Sequence, residues 1–129
     1  MKTYWDSSAL VEAANDERVR QRLIASGGVT RTHSLAEVFS TLTGGKMGNR
    51  VAAEEAARTV AQLAGELDFC DLTAPEILRA LAQAESKGVR GGRVHDYLHA
   101  VAAHKGNSGL LLTADKHGFA GLFPSVELV

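Results

Sequence analysis

Short β-prone runs alternate with longer helix-forming stretches from one end of the chain to the other, and this alternation is the feature that most restricts its fold. The runs fall at residues 2–5, 29–32, 68–72, 110–113 and 126–129. Helix-forming stretches fill the spaces at 7–14, 16–25, 34–43, 49–67, 73–87 and 93–105, with a shorter one at 116–122. Leu110-Leu111-Leu112-Thr113 carries no polar break, as expected of a strand covered on both faces. Strands joined through helices pair in parallel, and the helices must cover both sides of the sheet. The expected class is α/β with a central, mostly parallel sheet.

Local signals support these boundaries. Thr73-Ala74-Pro75-Glu76 reads as a capping box with proline in the first turn. Gly27-Gly28, Gly44-Gly45, Gly88, Gly91-Gly92 and Gly106 end or separate helices. In the Ala-rich 49–67 stretch, Val51, Ala57, Val60, Leu63, Ala64 and Leu67 fall near one face of a long amphipathic helix. With 129 residues and no repeat or linker, the chain reads as one domain spanning 1–129.

Composition excludes several functions. Lys and Arg number 14 against 15 Asp and Glu, a formal charge of -1, so no global basic field draws in nucleic acid or anionic membrane; an anionic partner must be gripped locally. A single cysteine, Cys70, forms neither an internal disulfide nor a Cys/His zinc framework, and a reducing cytoplasm is the expected location. No apolar stretch approaches the roughly 18 residues needed to span a bilayer, so no membrane association is expected. Aromatic residues are 5% of the chain, too few for an extended base-stacking platform.

Parallel α/β sheets bind ligands beyond the carboxyl ends of their strands. Four acids lie there: Asp6 after the first strand, Glu37 and Asp96 in first turns of helices, and Asp115 after 110–113. Each has a purely structural explanation. Asp6 and Asp115 read as N-caps, Ser34-Leu35-Ala36-Glu37 as a capping box, and Asp96 as a complement to a helix dipole. As a set they are harder to explain, because the topology brings them to one rim. Two unit charges about 4 Å apart repel by roughly 4 kcal/mol at an effective dielectric of about 20, several times what a cap contributes. Such a cluster must be protonated or neutralised by a cation, and an all-oxygen donor set suits Mg²⁺ or Mn²⁺. With such an ion an acidic pocket accepts a phosphodiester.

The segments around these acids resemble the motifs of PIN-domain nucleases, especially the VapC type of bacterial toxin–antitoxin systems. Tyr4-Trp5-Asp6-Ser7-Ser8-Ala9-Leu10 is similar to the first motif, and Thr32-His33-Ser34-Leu35-Ala36-Glu37-Val38-Phe39 to the second. Asp96-Tyr97-Leu98-His99-Ala100-Val101-Ala102-Ala103 resembles the third, and Leu110-Leu111-Leu112-Thr113-Ala114-Asp115-Lys116 the fourth. In the last motif an aromatic usually follows the acid more closely; here Lys116-His117-Gly118 intervene before Phe119. The resemblance implies a three-layer α/β/α PIN-like fold, Mg²⁺- or Mn²⁺-dependent endoribonuclease activity, a homodimer and a small antitoxin partner. It implies Asp6 and Asp96 as metal ligands, Glu37 and Asp115 completing the cluster, and Ser7 and Thr113 orienting carboxylates or water. Attack by metal-activated water, in line with the leaving ribose oxygen, needs no covalent intermediate.

Two rival readings come from other residues. His95 and His99 have the H-x-x-x-H spacing of zinc hydrolases, with Asp96 in place of the usual base. Asp6 with Asp71 as acceptor would suit a phospho-acceptor signalling domain, which leaves Glu37 and Asp96 unexplained. His99, three residues after Asp96, is placed to hydrogen-bond it or to pack as a half-buried polar residue. Lys46, Arg50, Arg90 and Arg93 flank glycines near the acidic helices and are candidates for gripping RNA phosphates.

Overall fold

The computed structural model describes residues 2–45 and 50–129. Five strands, β1 (Thr3–Trp5), β2 (Gly28–Thr30), β3 (Leu67–Phe69), β4 (Leu110–Thr113) and β5 (Val126–Leu128), form one sheet in the order β3-β2-β1-β4-β5. All four pairings are parallel. The helices are α1 (Ser7–Asn15), α2 (Glu17–Ser26), α3 (His33–Gly44), α4 (Ala53–Ala64), α5 (Ala74–Ala82) and α6 (Arg93–Lys105).

Strand alternation sends successive side chains to opposite faces and so divides the core in two. Tyr4, Val29 and Leu111 meet Ala80 of α5 and Tyr97, Ala100 and Ala103 of α6. Trp5, Leu67 and Leu112 meet Ala9 and Leu10 of α1, Leu23 of α2, Val38 and Leu42 of α3, and Leu63 of α4. The sheet is thus the middle layer of an α/β/α sandwich, as the sequence led us to expect. Trp5 requires a residue without a side chain beside it: a Cβ on Gly28 would run into its indole ring.

Several boundaries differ from expectation: the helix expected over 73–87 stops at Ala82 and is followed by a separate 3₁₀ turn at Glu85–Lys87, and the strand expected over 68–72 is β3, which ends at Phe69. The helix expected over 49–67 is α4, Ala53–Ala64, and Leu67 belongs to β3. Its buried residues are Ala56 and Leu63, while Ala57 is exposed, so the face read from the sequence was partly misplaced. The last helical stretch is a 3₁₀ turn at Lys116–Phe119. Among the described residues, no helix is long and apolar enough to cross a membrane.

The chain builds β1, β2 and β3 outward on one side, then returns to place β4 against the other edge of β1. The sheet therefore reverses its winding between β1 and β4. Trp5 pairs with Leu112, and the amide of Asp6 donates to the Leu112 carbonyl at 3.1 Å, so Asp6 and Thr113 leave the sheet side by side. This switch point is where parallel α/β sheets open a binding crevice.

Candidate functional site

Asp6 is the buried anchor of this crevice, 3% exposed. It caps α1, with Oδ1 accepting from the amide of Ala9 at 2.8 Å, so its structural reading holds. Two hydroxyls complete its shell: Ser8 Oγ donates to Oδ1 at 2.8 Å and Thr113 Oγ1 to Oδ2 at 2.6 Å. Ser8 also accepts from the amide of Ala114 and Thr113 from that of Asp115, and the two hydroxyls lie 3.1 Å apart. The orienting serine is thus Ser8 and not Ser7; counting hydroxyls after the acid cannot show which one the first turn of α1 directs back at it. Burial raises the Asp6 carboxyl, opposed by the bonds from Thr113, Ala9 and Ser8.

Asp96 is the opposite case. It stands in the first turn of α6, half-buried, and makes no hydrogen bond or ion pair among the described residues. Burial raises its carboxyl, the charge of Asp6 adds to this, and Asp115 and Glu37 push in the same direction against His99. Gly118 lies directly on it: a Cβ there would overlap the carboxylate, with Asp96 Cγ only 2.8 Å away. The three residues inserted before Phe119 thus bring a side-chain-free backbone up to Asp96. Arg93 fixes that backbone, donating through Nε to the Gly118 carbonyl at 3.3 Å, through Nη1 to Gly88 and through Nη2 to Ala120.

Glu37 sits one turn beyond the start of α3, and the expected capping box is absent. Thr32 at the N-cap makes no side-chain capping bond, and buried Ser34 shares a hydrogen bond with Thr30 instead. Glu37 Oε1 is 3.2 Å from Nε2 of His99. Burial pushes the Glu37 carboxyl up, but this bond and the charges of His99, His33 and His95 when protonated outweigh it, and the net shift is down. Asp115 is exposed at the mouth and caps the 3₁₀ turn through the amide of His117 at 3.0 Å.

Asp6, Glu37, Asp96 and Asp115 therefore face one rim, and the other three charges all act on Asp96. Among the described residues no Lys or Arg bridges Asp6, Asp96 or Asp115, and the ion pair that Glu37 makes is with His99. Nor do three His, Cys, Asp or Glu side chains already surround one point at ligation range. The acids share a field and not a closed cage. Magnesium-like ions suit such a site, since they retain several waters and take only one or two carboxylates directly. An all-oxygen set with one unpartnered carboxylate fits that group.

The zinc reading fails on geometry. Both ring nitrogens of His99 are engaged, Nδ1 with Tyr4 at 2.7 Å and Nε2 with Glu37, and His95 is exposed. His99 also does not bond Asp96. Asp71 holds the amide and hydroxyl of Thr32 at the sheet edge, fastening β3 to α3. Of the candidate cations, Arg90 is exposed, Arg50 is exposed with its Nε near Gly45, Arg93 is committed to carbonyls, and Lys46 lies outside the described residues. Sequence reading missed the Tyr4–His99 pair; its only trace there was a histidine one helical turn after Asp96.

The fold is that of a three-layer PIN-like α/β domain. No protein-family profile matches the sequence, and no curated protein matches it. Its backbone is similar to that of PAE2754 from Pyrobaculum aerophilum, with a TM-score of 0.73 at 16% identity, over 100% of this chain and 90% of that one. It is similar also to VapBC2 from Rickettsia felis, a structure bound to a DNA fragment from their promoter, with a TM-score of 0.69 at 18% identity, over 99% of this chain and 98% of that one. At these identities the likeness establishes the shared fold.

Proposed function

We propose that this chain is a Mg²⁺- or Mn²⁺-dependent endoribonuclease, the toxin component of a VapBC-type toxin–antitoxin pair. The observation that carries the reading is Asp96: a half-buried carboxylate raised by burial and by three other acids, with no protein cation paired to it, at the switch point of a parallel sheet. Stability alone gives no reason to gather these charges. A bound divalent ion supplies charge neutralisation for a phosphodiester and acidifies a water.

The chain's own residues supply the rest. Asp6, immobilised by Ser8, Thr113 and the amide of Ala9, is a preorganised anion at the floor of the crevice. Arg93 holds the Gly118 backbone against Asp96 and so limits where that carboxylate can go. Arg50 and Arg90 are exposed and make no ion pair among the described residues; we assign them to RNA phosphates, which would make binding salt-dependent. The Rickettsia felis neighbour is VapBC2; from it we infer an antitoxin partner for this chain, while a homodimer follows from the motif resemblance and a cytoplasmic location from the single cysteine.

RNA cleavage in Mn²⁺ by the wild type, Asp6→Asn and Asp96→Asn tests the activity. Loss of cleavage in both variants with the fold intact is the expected result, and unchanged turnover in both rejects it. A small co-encoded protein that co-purifies and restores growth on co-expression would support the toxin assignment, and a strain unaffected by expression of the active chain would point to a housekeeping nuclease.

A further inference from the structure

Two of the four acids are held by their neighbours, Asp6 by two hydroxyls and an amide and Asp115 by a backbone amide, and Asp96 has no partner among the described residues. Glu37 is different. Its side chain reaches the rim from the second turn of α3 through three rotatable bonds, a freedom that must be lost before it can hold anything in place. What restrains it comes from the far layer of the molecule. The His99 ring, 2% exposed, stands between Glu37 Oε1 at 3.2 Å and the hydroxyl of Tyr4 at 2.7 Å. Tyr4 is fully buried in the centre of the sheet, and its ring meets that of His99 edge-on, centroids 5.7 Å apart.

The hydrogens along this chain can be assigned. The Tyr4 hydroxyl has one hydrogen and lies 2.7 Å from Nδ1 of His99; the Thr30 hydroxyl, also beside it, spends its own hydrogen on the Trp5 carbonyl. Nε2 faces a carboxylate, which only accepts, so Nδ1 is the acceptor of the ring and Tyr4 donates to it. The ring then carries its hydrogen on Nε2, the nitrogen that faces Glu37.

We propose that Tyr4 and His99 form a buried positioning relay that locks the His99 ring in its Nε2–H tautomer and thereby fixes the Glu37 carboxylate toward the acidic crevice. The proposal rests on the metal-nuclease reading for what Glu37 is held ready to do. Neither residue touches the substrate; both act through Glu37, as outer-shell partners orient the ligands of a metal. The ring planes of Tyr4 and His99 sit in the packed core, so Glu37 is referenced to the sheet and not to the mobility of its own side chain.

Tyr4→Phe keeps the ring and removes the relay's donor; His99→Leu removes the relay, and His99→Gln replaces it with an amide that can still donate to Glu37. Each variant is first checked for folding by circular dichroism and thermal melting. Long-range ¹H–¹⁵N correlation spectra of the metal-free protein read the His99 tautomer, and titration followed by the electron paramagnetic resonance of free Mn²⁺ reads affinity. The wild type should show a single Nε2–H tautomer and Tyr4→Phe a mixture. Mn²⁺ affinity should fall by about tenfold in His99→Leu, the lower end of outer-shell effects, less in Tyr4→Phe, and recover in part in His99→Gln. An Nδ1–H wild type, or a folded Tyr4→Phe with tautomer and affinity unchanged, overturns the relay. If Asp96→Asn abolishes Mn²⁺ binding while the Tyr4 and His99 variants bind as the wild type does, the relay falls and the nuclease reading stands. A wild type that neither binds Mn²⁺ nor cleaves RNA removes the nuclease reading and the relay's purpose with it.

Discussion

Asp6 and Asp96 show how two like residues at one site can carry opposite demands. Asp6 is bought into the core by three donors, and losing one of them leaves a buried anion short of a partner. Thr113→Val is therefore expected to lower unfolding free energy by about 1–3 kcal/mol, and Thr113→Ser to restore most of it; urea denaturation measures both. Asp96 has no such donor, and its carboxyl is raised chiefly by burial and by Asp6. A carboxyl raised in the folded state costs nothing below its ordinary value and imposes its penalty as pH rises through the folded one. Metal-free Asp96→Asn should therefore be as stable as the wild type or more so at neutral pH, with the advantage vanishing in acid. A large drop in Tm would instead reveal a helix-dipole role for Asp96. The identity of all four acids could be read from the sequence because strand ends and helix starts converge in any parallel sheet. Which of Ser7 and Ser8 faces the acid is not legible in the sequence, because it depends on a rotation of about 100° per residue in a helix whose start is set by the Asp6 cap itself.

At the scale of elements, the accurate expectations are those where local and tertiary signals agree. The α6 range was expected at 93–105 and found there, bounded by Gly92 and Gly106, and β4 is the four-residue apolar run itself. The expected 49–67 helix follows helix propensity, which alanine satisfies anywhere, whereas α4 stops at Ala64 and Leu67, in β3, pairs with Gly28. Ser34 and Glu37 had the spacing of a capping box, but burial beside Thr30 and the pull of His99 took both side chains elsewhere. The capping box of α5 did form: Thr73 accepts from Glu76, and Glu76 accepts from Thr73. That same Glu76 accepts from Lys105 Nζ at 2.7 Å, tying the start of α5 to the end of α6. Lys105 first, and the Thr73 amide next, hold the Glu76 carboxyl down to about 2. A depressed carboxyl stabilises the fold above its ordinary value and loses that contribution as pH falls toward the folded one. Thermal melts of the wild type and Lys105→Met should differ most above pH 4.5 and draw together as pH falls to about 2, leaving the difference due to the bond from Lys105 to the Asp71 carbonyl.

For the whole molecule, the order β3-β2-β1-β4-β5 decides where function can lie, because only between β1 and β4 do adjacent strands send their connections to opposite faces. Asp6 and Thr113 leave from those two strands, α3 brings Glu37 from one layer, and α6 brings Asp96 from the other. A ligand held at that point touches elements from every layer, so it binds the folded chain and has no comparable site in the unfolded one. Ligand binding to the native state alone stabilises by RT ln(1 + [L]/Kd), about 2.7 kcal/mol at a hundredfold excess over Kd. If the crevice takes Mn²⁺ as proposed, Tm should rise with the logarithm of Mn²⁺ concentration in the wild type. The rise should be lost in Asp96→Asn and unaltered in Lys105→Met, whose change lies at the far contact of α5 and α6. Differential scanning calorimetry against Mn²⁺, with Ca²⁺ as the larger and less demanding ion, separates a crevice fitted to a small octahedral cation from a merely acidic surface: equal shifts with both ions, or equal shifts in Asp96→Asn, would mean that the rim screens charge without holding an ion at the switch point.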